Sequence, residues 1–135
     1  MKIGYKALIE AAEAEIETLS VEDARALHGN DDVVFVDLRD VRELEREGQI
    51  VGAQHAPRGM LEFWVDPDSP YARDVFQQDK RFVFYCQSAW RSALATQQVQ
   101  RMGMERVAHL AGGFRAWQDA GAPVEPRPAK AKTKA

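Results

Sequence analysis

A chain of 135 residues, 45% hydrophobic and 29% charged, can bury one core without a disulfide or a structural metal, and its composition excludes a wholly disordered or membrane-embedded class. A formal net charge of -3 gives no concentrated basic surface, so neither nucleic acid nor a membrane is expected as a partner. The single cysteine excludes an internal disulfide, and His28, His55 and His109 lie too far apart to suggest a metal site, so no metal and no cofactor is expected.

No apolar run approaches the roughly 18 residues of a membrane span, and the Glu-rich start is unlike a signal or transit peptide. A cytoplasmic location is the resulting expectation. In chain order, residues 4–15 read as a first helix with Leu8, Ala11 and Ala12 on one face, docking on the domain. A short strand at 16–19 leads to a helix opened by Ser20, with Asp23 in a capping-box position and an end near His28 and Gly29. The β-branched run Val33, Val34, Phe35, Val36 reads as a strand of a parallel sheet buried on both faces, with Asp37 at its C-terminal end.

A charged helix at 41–46, a turn at 48–52 and a strand at 54–56 follow, the last halted by Pro57. Residues 58–78 predict two short helices, the second opened by Ser69 and Pro70. A strand at 82–85 runs directly into Cys86, and a helix spans 92–102 up to Gly103. A last strand at 107–110 leads through Gly112 and Gly113 into a helix carrying Phe114, Ala116 and Trp117. Phe63, Trp64 and Trp117, with His55 and His109, are expected in the core. Beyond Gly121, Pro126, Pro128, Lys130, Lys132 and Lys134 have no apolar partners.

This pattern divides the chain into an N-terminal helix (1–15), one domain (16–121) and a disordered basic tail (122–135). Five strands alternating with helices predict an α/β fold whose parallel sheet is covered on both faces. Ligands in such folds bind beyond the carboxyl ends of the strands, where both Asp37 and Cys86 fall.

A cysteine between a buried strand and a helix N-terminus faces backbone N–H groups that the helix cannot satisfy, and the helix dipole adds to their field. Arg91 brings a full charge to the end of the loop Cys86-Gln87-Ser88-Ala89-Trp90-Arg91-Ser92. All three effects favour thiolate over thiol, so Cys86 reads as a nucleophile and not as core filler.

Over roughly residues 19–121 the sequence resembles the rhodanese family. The motifs are Val36-Asp37-Leu38-Arg39, Gly48-Gln49-Ile50-Val51-Gly52-Ala53 with His55-Ala56-Pro57, the loop from Cys86 to Ser92, and Leu110-Ala111-Gly112-Gly113-Phe114-Arg115-Ala116-Trp117. Two positions depart from the family's usual pattern: Ala89 stands in place of Gly, and Gln49 in place of His. The resemblance implies a rhodanese-like fold with a central five-stranded parallel sheet and a catalytic cysteine cradled by its loop. Four residues separate Cys86 from Arg91, one fewer than in the related cysteine phosphatases, which leaves a phosphatase as a distant alternative.

The implied activity is that of a thiosulfate sulfurtransferase: Cys86 takes a sulfane sulfur from thiosulfate or a persulfide donor and passes it to cyanide or a thiol. A persulfide carrier or regulatory module without turnover is the alternative. Arg91 is expected to orient the donor, and Gln87, Ser88, Ala89, Trp90 and Ser92 to supply backbone N–H groups. Asp37 and Arg39 are expected to support the site, chiefly as a salt bridge, and Arg58 to border it. Trp90 reads equally as a substrate contact or as a shield over the sulfur. With no second cysteine, the acceptor comes from outside the chain, as a small molecule or a protein.

Overall fold

The computed structural model describes residues 1–128. Its elements are α1 (Tyr5–Glu15), β1 (Glu17–Leu19), α2 (Val21–Leu27), β2 (Val33–Asp37), α3 (Val41–Glu47), β3 (Gln49–Ile50), β4 (Gln54–His55), a 3-10 turn (Arg58–Met60), α4 (Leu61–Val65), a second 3-10 turn (Asp74–Gln77), β5 (Arg81–Tyr85), α5 (Trp90–Met102), β6 (Val107–Leu110), α6 (Gly113–Asp119) and β7 (Val124–Glu125). The fold is α/β. Five strands form one sheet in the order β1-β6-β5-β2-β4, every neighbouring pair parallel.

The alternation of side chains along β5 divides the core in two. Val83 and Tyr85 join Leu19, Phe35, Leu110, Phe114 and Trp117 on one face, under α6. Phe82 and Phe84 join Val36, Leu61, Ala95 and Val99 on the other, under α4 and α5. Both central strands are buried because each has a parallel neighbour on either edge and helices above and below. Their carboxyl ends, Asp37 and Tyr85, are paired in register, so the residues that follow them, Leu38 and Cys86, leave the sheet side by side.

Several boundaries differ from those read in the sequence. The buried stripe of α1 is Ile9 and Ala12, continued by Ile16 onto Ala93 of α5, while Leu8 and Ala11 face outward. Ser20 caps α2 by accepting the Asp23 N–H at 3.0 Å. No helix opens at Pro70: the Ser69 hydroxyl closes a turn by accepting the Tyr71 N–H, and the chain coils again only at Asp74–Gln77. Phe63 is exposed, because α4 is too short to bury more than the side carrying Leu61 and Val65.

At Val124–Glu125 the chain is a strand and not part of the disordered tail expected from residue 122. Val124–Glu125 pairs antiparallel with Gln49–Ile50, where the sequence predicts a plain turn, forming a second, two-stranded sheet. Lys130, Lys132 and Lys134 lie outside the described residues. Among the described residues no helix is long and apolar enough to cross a membrane.

Candidate active site

Strand β5 ends at Tyr85 and α5 begins at Trp90, so Cys86 to Ala89 make the whole turn from sheet to helix. Helix α5 starts two residues before the expected Ser92, which places both Trp90 and Arg91 in its first turn. A reversal this tight needs one residue in the left-handed backbone region. Ala89 takes it, at φ 73°, and among the described residues no other non-glycine has positive φ. An L side chain there costs about 1–2 kcal/mol, so the loop holds strain that a glycine would not.

The loop is held from below by α6. Phe114 N–H donates to the Cys86 carbonyl at 2.8 Å and Arg115 N–H to the Gln87 carbonyl at 3.2 Å. This close approach requires Gly113, since a Cβ there would stand 2.5 Å from the Cys86 carbonyl oxygen and 2.6 Å from that of Gln87.

The Ser92 N–H points at Cys86 Sγ, 3.4 Å away. The N–H groups of residues 87–91 have no acceptor among the described residues. Five such donors on the residues that follow one sulfur leave capacity for a small anion. Cys86 itself is only 1% exposed, more enclosed than a freely open thiol.

Arg91 sits at the rim, but its guanidinium is engaged. It donates to both carboxylate oxygens of Glu43 on α3, at 2.8 and 2.9 Å, so it does not project freely toward a donor as the sequence suggested. That bidentate bond, together with the field of Arg91, holds the Glu43 carboxyl down at about 2 against the cost of its burial. It likewise raises Arg91 above the ordinary guanidinium value.

Beneath the loop, Asp37 and Arg39 form a fully buried ion pair at 2.7 Å. Burial opposes the Arg39 charge, and the hydrogen bond and field of Asp37 more than offset it, leaving its pKa raised. Arg39 also donates to the Gly48 carbonyl at 2.8 Å and to Gln87 Oε1 at 3.1 Å, and its guanidinium lies 4.1 Å from the Phe114 ring centroid. One side chain thereby ties β2, α3, the loop and α6 together. Gln87 donates in turn to Glu47 at 3.3 Å.

The Arg58 guanidinium pairs with Glu62 one helical turn on, at 2.7 Å. Ser88 is exposed at the crest of the loop. Trp90 protrudes, 55% exposed, with the Tyr5 ring of α1 4.8 Å from its own. Gln49 is buried away from the loop and donates to the Ala53 carbonyl and to Glu125.

On the inner side, the Ser92 hydroxyl lies 3.6 Å from Cys86 Sγ and 2.9 Å from His109 Nδ1. His109 Nε2 lies 3.1 Å from the Thr18 hydroxyl. Burial pushes the His109 imidazole down to about 4, so it is neutral at pH 7.

Sequence reasoning missed Glu43, Glu47, Gly113, Tyr5, and the link of His109 and Thr18 to the loop. Glu43 and Glu47 had a usable signal, since their spacing of four puts both on one face of the charged helix. Tyr5 and Thr18 had none, because only the tertiary packing of α1 and β1 carries them to the loop.

The family model described as Rhodanese-like domain matches residues 20–120. A protein of unknown function from Rhodopseudomonas palustris, described as a possible tyrosine phosphatase, shares 56% identity and superimposes with a TM-score of 0.91 over 93% of this chain and 96% of its own. The polysulfide-sulfur transferase homodimer of Wolinella succinogenes gives a TM-score of 0.69 at 29% identity, over 96% of this chain and 93% of that one. An uncharacterized protein of Synechocystis is 35% identical over 79% of this chain, which spans 55% of the length of that relative.

Proposed function

Since the chain belongs to the rhodanese-like domain family, whose similar structures include a sulfur transferase, we propose that it moves a sulfane sulfur through a persulfide on Cys86. The Cys86 thiolate attacks the outer sulfur of thiosulfate or of a persulfide donor. The bond within the donor breaks, its electron pair leaves with sulfite or a thiolate, and a persulfide remains on Cys86. An external nucleophile, cyanide or a small or protein thiol, then attacks the outer sulfur, and the electron pair of the S–S bond returns to Cys86 Sγ.

One observation carries this reading: the N–H groups of residues 87–91 have no acceptor among the described residues, directly beside a sulfur that already receives the Ser92 N–H. A terminal persulfide sulfur is a small anion that such donors stabilise. The four-residue spacing from Cys86 to Arg91 makes a tight cradle, suited to one sulfur more than to tetrahedral phosphate.

A second reading, a carrier loaded by a protein donor, draws support from Arg91. Its fork is occupied by Glu43, which leaves less positive charge free to capture thiosulfate from solution. Steady-state turnover on thiosulfate plus cyanide, set against loading by a cysteine desulfurase, decides between them. Turnover lost in Cys86→Ser supports the enzyme, whereas rapid loading without turnover supports the carrier. Hydrolysis of an aryl phosphate that requires Cys86 would overturn both.

A further inference from the structure

Outside the loop, the described interior holds one titratable side chain linked to the reacting sulfur through hydrogen bonds: His109, fully buried on β6. Four groups stand in series, Cys86 Sγ, Ser92 Oγ, His109 and Thr18 Oγ1, at successive separations of 3.6, 2.9 and 3.1 Å. Both ring nitrogens of His109 are therefore engaged by hydroxyls, each of which can donate or accept. Thr18, on the edge strand β1, is exposed, so the outer end of the series exchanges protons with water.

We propose that His109 is a positioning residue for sulfur transfer: with Thr18 it turns the Ser92 hydroxyl so that this hydroxyl donates to Cys86 Sγ whenever that sulfur carries negative charge. The inference rests on the persulfide reading above.

The direction of donation follows from the charge on sulfur. With Cys86 as a thiol, S–H donates to Ser92 Oγ, Ser92 O–H donates to His109 Nδ1, and Nε2–H donates to Thr18 Oγ1. With Cys86 charged, every bond reverses: Thr18 O–H donates to Nε2, Nδ1–H to Ser92 Oγ, and Ser92 O–H to the sulfur. Each proton moves one place outward and the last leaves from Thr18 to water. The imidazole is neutral at both ends of this change, as its depressed basicity requires. Ser92 alone, lacking a group behind it that changes tautomer, would have no fixed orientation.

The two half-reactions feel this donor differently. In loading, the thiolate spends its charge in attacking the donor, so a hydrogen bond to Sγ does not assist bond formation. In transfer, the acceptor attacks the outer sulfur, the S–S bond breaks and its electron pair collects on Cys86 Sγ. The Ser92 hydroxyl is then a donor to a leaving thiolate, an interaction stronger than one between neutral groups.

The test measures loading by thiosulfate and discharge by cyanide as separate single-turnover steps, read by intact mass. Variants are His109→Leu, Ser92→Ala, their combination, and Thr18→Val, an isosteric change at an exposed strand position that leaves the fold intact. His109→Leu should discharge about tenfold more slowly while loading stays within about threefold, and Thr18→Val should show a smaller effect of the same kind. The double variant should be no slower than Ser92→Ala alone, because His109 acts through that hydroxyl. Normal discharge in His109→Leu, multiplying losses in the double variant, or equal slowing of both steps would overturn the inference. A wild type that takes up no sulfur instead sinks the persulfide reading, and shows it before any variant is compared.

Discussion

At the scale of single residues, the loop holds its shape at a local cost. Ala89 is kept at φ 73° because its carbonyl starts α5, accepting the Ala93 N–H at 3.1 Å, and because Trp90 and Cys86 leave it in fixed directions. Ala89→Gly should relieve this strain and stabilise the protein by up to about 1 kcal/mol, allowing for the greater entropy of glycine in the unfolded chain. Chemical denaturation would show a raised midpoint, and an unchanged or lowered one would contradict the strain. His109 has a different signature. Its folded value of about 4 lies below the ordinary 6.5, so between these limits the unfolded chain binds the additional proton and stability falls as pH is lowered. The loss from pH 7 to 4 amounts to about 3 kcal/mol for this group, and His109→Asn should flatten the profile over that window. The fall associated with Glu43 lies lower, between its ordinary 4.5 and about 2, and should persist in that variant.

At the scale of elements, the turn that carries Cys86 depends on how closely α6 approaches it. The bonds from Phe114 and Arg115 to the Cys86 and Gln87 carbonyls exist because Gly113 has no Cβ and takes a φ of +65°. Gly113→Ala should cost about 1–3 kcal/mol and release both carbonyls, lowering sulfur uptake even at temperatures where the chain stays folded. Uptake at the wild-type rate in the folded variant would contradict this. The strands were legible in the sequence: the β-branched and aromatic runs at 33–36 and 82–85 read plainly as buried parallel strands, and residues 107–110 match to the residue. The short elements were not. β3 and β7 are two residues each and gain their order only from one another, 76 residues apart in Gln49 with Glu125 and 74 in Ile50 with Val124, which no local pattern encodes. Leu8 misled in a related way, since the stripe of α1 is set by where α5 lies and not by the helix alone.

For the molecule as a whole, the parallel sheet delivers Leu38 and Cys86 together at its carboxyl edge, and Arg39 locks the two exits to α3 and α6 through Asp37, Gly48 and Gln87. The turn that carries Cys86 could be placed in advance because strand, cysteine and helix start are adjacent in sequence. What could not be read were the partners drawn in from distant segments: Glu43 claims Arg91, Tyr5 meets Trp90, and Thr18 reaches His109. The proposed function stands or falls with the stabilisation of a sulfur anion on Cys86 by the N–H groups of its loop. Intact mass after brief treatment with thiosulfate or polysulfide tests it most directly. The expected result is a gain of one sulfur, removed by cyanide and absent in Cys86→Ala; an unmodified wild type, or an equal gain in Cys86→Ala, would rule out a persulfide on this cysteine.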